Sequence, residues 1–137
     1  MKKKILIINA DYYPEISENL LNSSSRVLKE SNVEFEVIHV PGALEIPVIL
    51  EKYKNNFSGF IIFGCVIRGA TSHYDLVVNV TSSSVYKIVN KDKLPLAFSL
   101  LTVENYQQAI ERSSLENKNL WGKAAETCMQ MIKLINE

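Results

Sequence analysis

Short β-branched runs alternate along this chain with longer stretches whose apolar residues recur at helical spacing, the pattern of strand-helix units repeated around a parallel sheet. Ile5-Leu6-Ile7-Ile8 is continuously apolar, as a strand buried on both faces should be, and reads as the first strand. Beyond the loop Asn9 to Pro14 a helix is expected to start near Ser17, a good N-cap residue, and to run through Leu20, Leu21, Val27 and Leu28. Phe35, Val37 and Ile38 mark the second strand. Ala43 to Tyr53 then reads as a helix with Pro47 in its first turn or forcing a later start. Gly59 to Gly64 is the third strand, and the helix after Asp75 carries Val77, Val78, Val85, Ile88 and Val89. Leu94 to Leu101 supplies the fourth strand. Thr102 is expected to cap a helix through Ala109, Ile110 and Arg112, and Gly122 to Ile135 forms a long closing helix.

These elements predict one α/β domain over residues 1–137, a three-layer sandwich with helices on both faces of a four-stranded parallel sheet. The flavodoxin-like strand order 2-1-3-4 is expected by analogy with doubly wound sheets, and it puts the topological switch between the first and third strands. Ligands of open α/β sheets bind outside the strand ends at that switch. The loops Ala10 to Pro14 and Cys65 to Thr71 should therefore face one another across a crevice.

Composition narrows the function classes. With 47% hydrophobic and 22% charged residues in 137, the chain has the make-up of a globular protein able to bury its own core. Lys+Arg 15 against Asp+Glu 15 gives a formal net charge of +0, so the general electrostatic pull of a nucleic-acid binder is missing. Near-zero charge also gives a free monomer little colloidal protection, which favours surfaces hidden in an oligomer. Cys65 and Cys128 lie far apart and form no metal-binding pair, so reduced thiols and a cytoplasmic location are expected, with no metal. The apolar run after the opening lysines is interrupted at Asn9 and Asp11, too soon for a signal peptide, and no stretch approaches the roughly twenty apolar residues of a membrane helix.

The segment Gly64-Cys65-Val66-Ile67-Arg68-Gly69-Ala70-Thr71-Ser72-His73-Tyr74-Asp75 follows a buried strand and opens a helix. Gly69 and Ala70 let backbone amides approach a ligand, Thr71 adds a hydroxyl, and the helix dipole favours an anion such as phosphate. P-loop spacing is absent, which disfavours nucleotide hydrolysis. His73, two residues beyond that anion site, is placed to pass protons to a phosphorylated substrate; the plainer alternative is a helix-start residue bonded only to backbone. In Pro41-Gly42-Ala43-Leu44-Glu45-Ile46-Pro47, rigid turn residues hold Glu45 near a helix N-terminus, where a carboxylate can accept hydrogen bonds from sugar hydroxyls or serve as an ordinary first-turn acid. Tyr12 and Tyr13 offer a stacking face to a planar ring, or half-buried packing groups. Arg112 ends a helix, where a cation is expected anyway.

Taken together, PGALEIP at Pro41 to Pro47, GCVIRGATSHYD at Gly64 to Asp75, PLAFSLLTVEN at Pro95 to Asn105 and QAIER at Gln108 to Arg112 strongly resemble the 6,7-dimethyl-8-ribityllumazine synthase family, in the family's order and over nearly the whole chain. The resemblance implies condensation of 5-amino-6-(D-ribitylamino)uracil with 3,4-dihydroxy-2-butanone 4-phosphate, without a cofactor. It implies that His73 shuttles protons, that Ala70 and Thr71 hold the phosphate with Arg112 as charged partner, and that Tyr12 stacks on the uracil. By the same resemblance Ala43, Leu44 and Glu45 line the ribitylaminouracil site with Cys65, Val66, Ile67 and Phe98, Glu45 bonding the ribityl hydroxyls. Tyr12 stands where phenylalanine or tryptophan is expected, Ser99 where glycine is frequent, and Ser113 to Lys123 departs most, leaving open whether Lys118 or Lys123 adds a phosphate contact. Small-molecule substrates, a homopentamer or a multiple of pentamers up to an icosahedral shell, and riboflavin synthase as a further partner are the associations that the resemblance raises.

Overall fold

The computed structural model describes residues 4–70, 73–114 and 122–136. Four strands, β1 (Lys4–Ala10), β2 (Glu34–Val40), β3 (Gly59–Ile67) and β4 (Leu96–Val103), pair in parallel in the order β2-β1-β3-β4. This is the order expected of the flavodoxin-like arrangement. Ile5, Leu6, Ile7 and Ile8 are wholly buried because β1 lies inside the sheet with both faces covered, whereas the edge strand β2 keeps Glu34, Glu36 and His39 exposed.

Side chains on a strand alternate between faces, and the core divides accordingly. On one side Ile5, Ile7, Ile61 and Phe63 pack against helix α1 (Pro14–Glu30), helix α5 (Gly122–Asn136) and Ala109 of helix α4 (Tyr106–Ser113). On the other, Leu6, Ile8, Phe60 and Ile62 meet Ile46 and Leu50 of helix α2 (Ile46–Tyr53) and Val85 of helix α3 (Tyr74–Asp92). Three layers follow directly from that alternation.

Several boundaries differ from the sequence expectation. Helix α1 starts at Pro14, whose fixed φ suits the first helical position, so Ser17 lies inside the first turn. There its N–H donates to the Tyr13 carbonyl at 3.0 Å and its hydroxyl to the Pro14 carbonyl at 3.2 Å. Thr102 stays in β4, and Asn105 is the cap of α4, its Oδ1 accepting from the Gln108 N–H at 2.9 Å. Ala43 to Tyr53 splits into a 3-10 turn, Ala43–Glu45, and α2, with Pro47 in the first turn of α2 as expected. Strand β3 runs on through Ile67, which pairs with Val103, so Cys65, Val66 and Ile67 are held by the sheet rather than by a loop.

Candidate active site

Because β1 and β3 are neighbours whose helices leave toward opposite faces, the ends of the two strands part and leave a crevice of about 330 Å³. Tyr12 and Tyr13 after β1 form one wall, the turn Pro41 to Glu45 after β2 a second, and the last residues of β3, Cys65, Val66 and Ile67, the floor, with Val77 of α3 at the side. Every residue expected around the heterocycle lies here except Phe98. Pro41 and Gly42, singled out in the sequence as turn residues, also line it, and Val77 is an addition, one helical turn beyond His73 on the same side of the helix.

The two tyrosines differ in exposure. Tyr13 packs against the core and meets Tyr12 edge-on at 4.9 Å and Tyr106 at 6.0 Å; burial chiefly, and Tyr12 beside it, push its phenol up from its ordinary value. Tyr12 is 70% exposed, and both rings line the crevice. At the second wall Glu45 donates its N–H to the Gly42 carbonyl at 3.2 Å, and its Oε1 lies 3.2 Å from where a Cβ on residue 42 would sit. A side chain at position 42 would press on the carboxylate, whose exposed tip is free to swing aside.

Cys65 faces this crevice with its thiol pushed up to about 12 by burial, so it is protonated at neutral pH and is no nucleophile. Raised in this way, the thiol leaves stability whole below the ordinary thiol value and erodes it as pH climbs from there toward about 12. Iodoacetamide at about pH 8 is therefore expected to label the folded chain far more slowly than the unfolded one. Prompt stoichiometric labelling of folded Cys65 would contradict this environment.

Beyond the crevice floor the 3-10 turn Arg68–Ala70 leads from β3 toward α3. Gly69 donates its N–H to the Glu104 carbonyl at 3.1 Å, so this amide is engaged by the protein and is not the ligand-facing donor expected from the sequence; a Cβ there would lie 3.0 Å from that oxygen, a crowding that favours glycine. Thr71 lies outside the described residues, as does Lys118. His73 is the exposed N-cap residue of α3; its side chain makes no capping hydrogen bond, and its carbonyl accepts from the Val77 N–H at 2.9 Å. His73 itself is not among the residues that line the crevice; it stands one helical turn before Val77, which is.

Two further expected site residues, besides His73, do not line the crevice of their own chain. Phe98 pairs with Ile62 in mid-sheet and packs edge-on against Tyr86 at 5.5 Å, because it is early in β4 while the crevice opens at the strand ends. Arg112 lies in the last turn of α4, on the layer of α1, and is absent from the crevice lining. His39 has its Nδ1 3.5 Å from Asp11 Oδ2 at the end of β2, outside the crevice. Among the described residues no helix is long and apolar enough to cross a membrane, and no group of three His, Cys, Asp or Glu side chains is gathered to hold a metal.

The sequence profile of the family described as 6,7-dimethyl-8-ribityllumazine synthase matches residues 2–136. The chain belongs to that family. A 6,7-dimethyl-8-ribityllumazine synthase of Bartonella tribocorum is 38% identical over 139 residues, covering 98% of this chain and 92% of the relative. The lumazine synthase of Jannaschia sp. is 41% identical over 96% of this chain and 74% of its own length, and that of Bartonella bacilliformis 40% identical over 95% and 88%. A de novo designed Rossmann-fold protein superposes on 85% of this chain with TM-score 0.40 and 13% identity, too loosely to bear on function. As a lumazine synthase family member the chain is an enzyme, and residues of two of its four family motifs, Pro41 to Pro47 and Gly64 to Asp75, line the crevice at the β1–β3 switch.

Proposed function

We propose that the crevice condenses 5-amino-6-(D-ribitylamino)uracil with 3,4-dihydroxy-2-butanone 4-phosphate to give 6,7-dimethyl-8-ribityllumazine, inorganic phosphate and water, in the riboflavin route. The observation that carries this reading is the gathering of Tyr12, the Ala43-Leu44-Glu45 turn and Cys65-Val66-Ile67 around one cavity, in a chain of this family. The uracil amine attacks the ketone and loses water to form an imine, phosphate leaves, and the ribityl-bearing nitrogen closes the ring on the remaining carbonyl with loss of a second water. The amine is already a nucleophile and phosphate already a good leaving group, so the protein supplies orientation, anion binding and proton transfer, and needs no cofactor.

Tyr12 stacks on the uracil, Glu45 accepts hydrogen bonds from the ribityl chain, and Ala43, Leu44, Cys65, Val66 and Ile67 line the remainder. Ala70 and Thr71 hold the phosphate, and His73 moves the protons. Arg112 and Phe98, off the crevice of their own chain, complete a neighbour's site in a cyclic homo-oligomer, a pentamer or a multiple of it. The enzyme works in the cytoplasm and hands its product to riboflavin synthase. Mixing the protein with both substrates should give lumazine fluorescence. Riboflavin forming from lumazine alone, with no dependence on the butanone phosphate, would instead make the chain a riboflavin synthase, and native mass measurement gives the number of copies.

Arg112→Ala is expected to raise the phosphosugar KM about tenfold to a hundredfold, the loss of one charge-assisted contact, while the KM for the uracil stays near wild type. Weakening confined to the uracil would take Arg112 off the phosphate.

A further inference from the structure

We infer that Arg68 is a positioning residue that clamps the start of α3 to the β4–α4 turn and thereby sets where His73 stands. This deepens the reading proposed above and rests on it. Arg68 follows Ile67, the last residue of β3, and its side chain reaches in two directions. Its Nε lies 3.0 Å from Glu104 Oε2, beyond the end of β4. Across its own turn the guanidinium stacks 4.3 Å from the centroid of the Tyr74 ring, with Nη1 3.8 Å from Asp75 Oδ1 at the start of α3. One side chain at the end of β3 therefore touches both the start of α3, next to His73, and the residue that follows β4.

The anchor it grips is stiff. Val103 is paired with Ile67, the Gly69 N–H reaches the Glu104 carbonyl at 3.1 Å, and the Glu104 N–H donates to Gln108 Oε1 at 2.8 Å inside a helix start that Asn105 caps. A planar fork that stacks and bonds at once suits this place, which an ammonium would not replace. The side chains of Arg68 and Glu104 are 50% and 61% exposed, and exposed pairs of this kind contribute little to global stability. Position is different, since a shift of about 1 Å in a catalytic group can cost on the order of a hundredfold in rate. Carboxylates on both sides also occupy the guanidinium, so its charge is spent on the protein and not on the substrate phosphate.

The test compares Arg68→Ala, Glu104→Ala, the double variant and Arg68→Lys with wild type in single-turnover condensation, with melting temperature and amide hydrogen exchange of the 69–75 segment as parallel readouts. A clamp predicts about a tenfold or larger fall in rate for each single variant, a double variant no slower than the slower single, and poor rescue by lysine. Melting should barely move, and exchange in the segment should quicken in every variant. Two results overturn the clamp. Unchanged rates and exchange in Arg68→Ala remove it outright. If instead Glu104→Ala keeps its rate and lowers the phosphosugar KM while Arg68→Ala raises that KM alone, Arg68 is a direct phosphate ligand. An inactive wild-type chain would sink the proposed reaction, whereas the exchange measurement needs no substrate and still decides the clamp.

Discussion

Phe63→Ala should lower stability by about 3–5 kcal/mol, shifting the urea midpoint with little change in slope. Phe63 sits in β3 between Asn9 of β1 and Ser99 of β4, with no exposure, on the face covered by α1 and α5. Neither helix can follow the backbone inward, because the sheet fixes one side of the cavity and the packed helices the other, so the space left by the ring stays largely open. Against a usual stability of about 5–15 kcal/mol, that loss is a large fraction. By contrast Lys4 and Glu36, 2.7 Å apart at the solvent-facing start of the sheet, should change the midpoint little when Glu36→Gln parts them. Both variants are to be measured at one protein concentration, since assembly would add its own stabilisation. A loss below about 1 kcal/mol for Phe63→Ala would mean that the core does not close around this ring.

The features on which that argument leans were readable in the chain. An unbroken apolar run such as Ile5 to Ile8 has one stable home, the inside of a sheet covered on both faces, and the alternation with amphipathic stretches leaves few topologies. The strand order then fixes the switch, and the switch fixes the crevice. Caps were harder to read. Ser17 and Thr102 have suitable hydroxyls, but Pro14 starts α1 earlier and the pairing of β4 with β3 carries Thr102 into the sheet, leaving Asn105 as the cap. The position of Phe98 depends on where β4 begins relative to the strand ends, a matter of register between elements far apart in sequence. Motif reading treats Phe98 and Arg112 as site residues without saying whose site they serve. The Arg68–Glu104 contact joins residues from two different turns, and no periodicity within either segment signals it.

Replacing His73 by alanine should slow the single-turnover condensation by about a hundredfold, near 2.7 kcal/mol of barrier, and leave a measurable residue of activity. General acid–base transfer contributes about 10²–10⁴-fold in typical enzymes. The lower end applies here because the amine and ketone react unaided and the leaving group is good. His73 caps α3 through its backbone, with no capping hydrogen bond from its side chain, so the substitution removes no cap, and melting is to be measured beside the rate. That separates loss of chemistry from loss of structure. It also separates His73 from Arg112: removing a proton carrier lowers the rate at saturating substrate, whereas removing an anion contact made equally in the ground and transition states raises KM and spares kcat. A His73→Ala enzyme with wild-type single-turnover rates would mean that water, or another group, carries the protons, and the turn after β3 would then be an anion site alone.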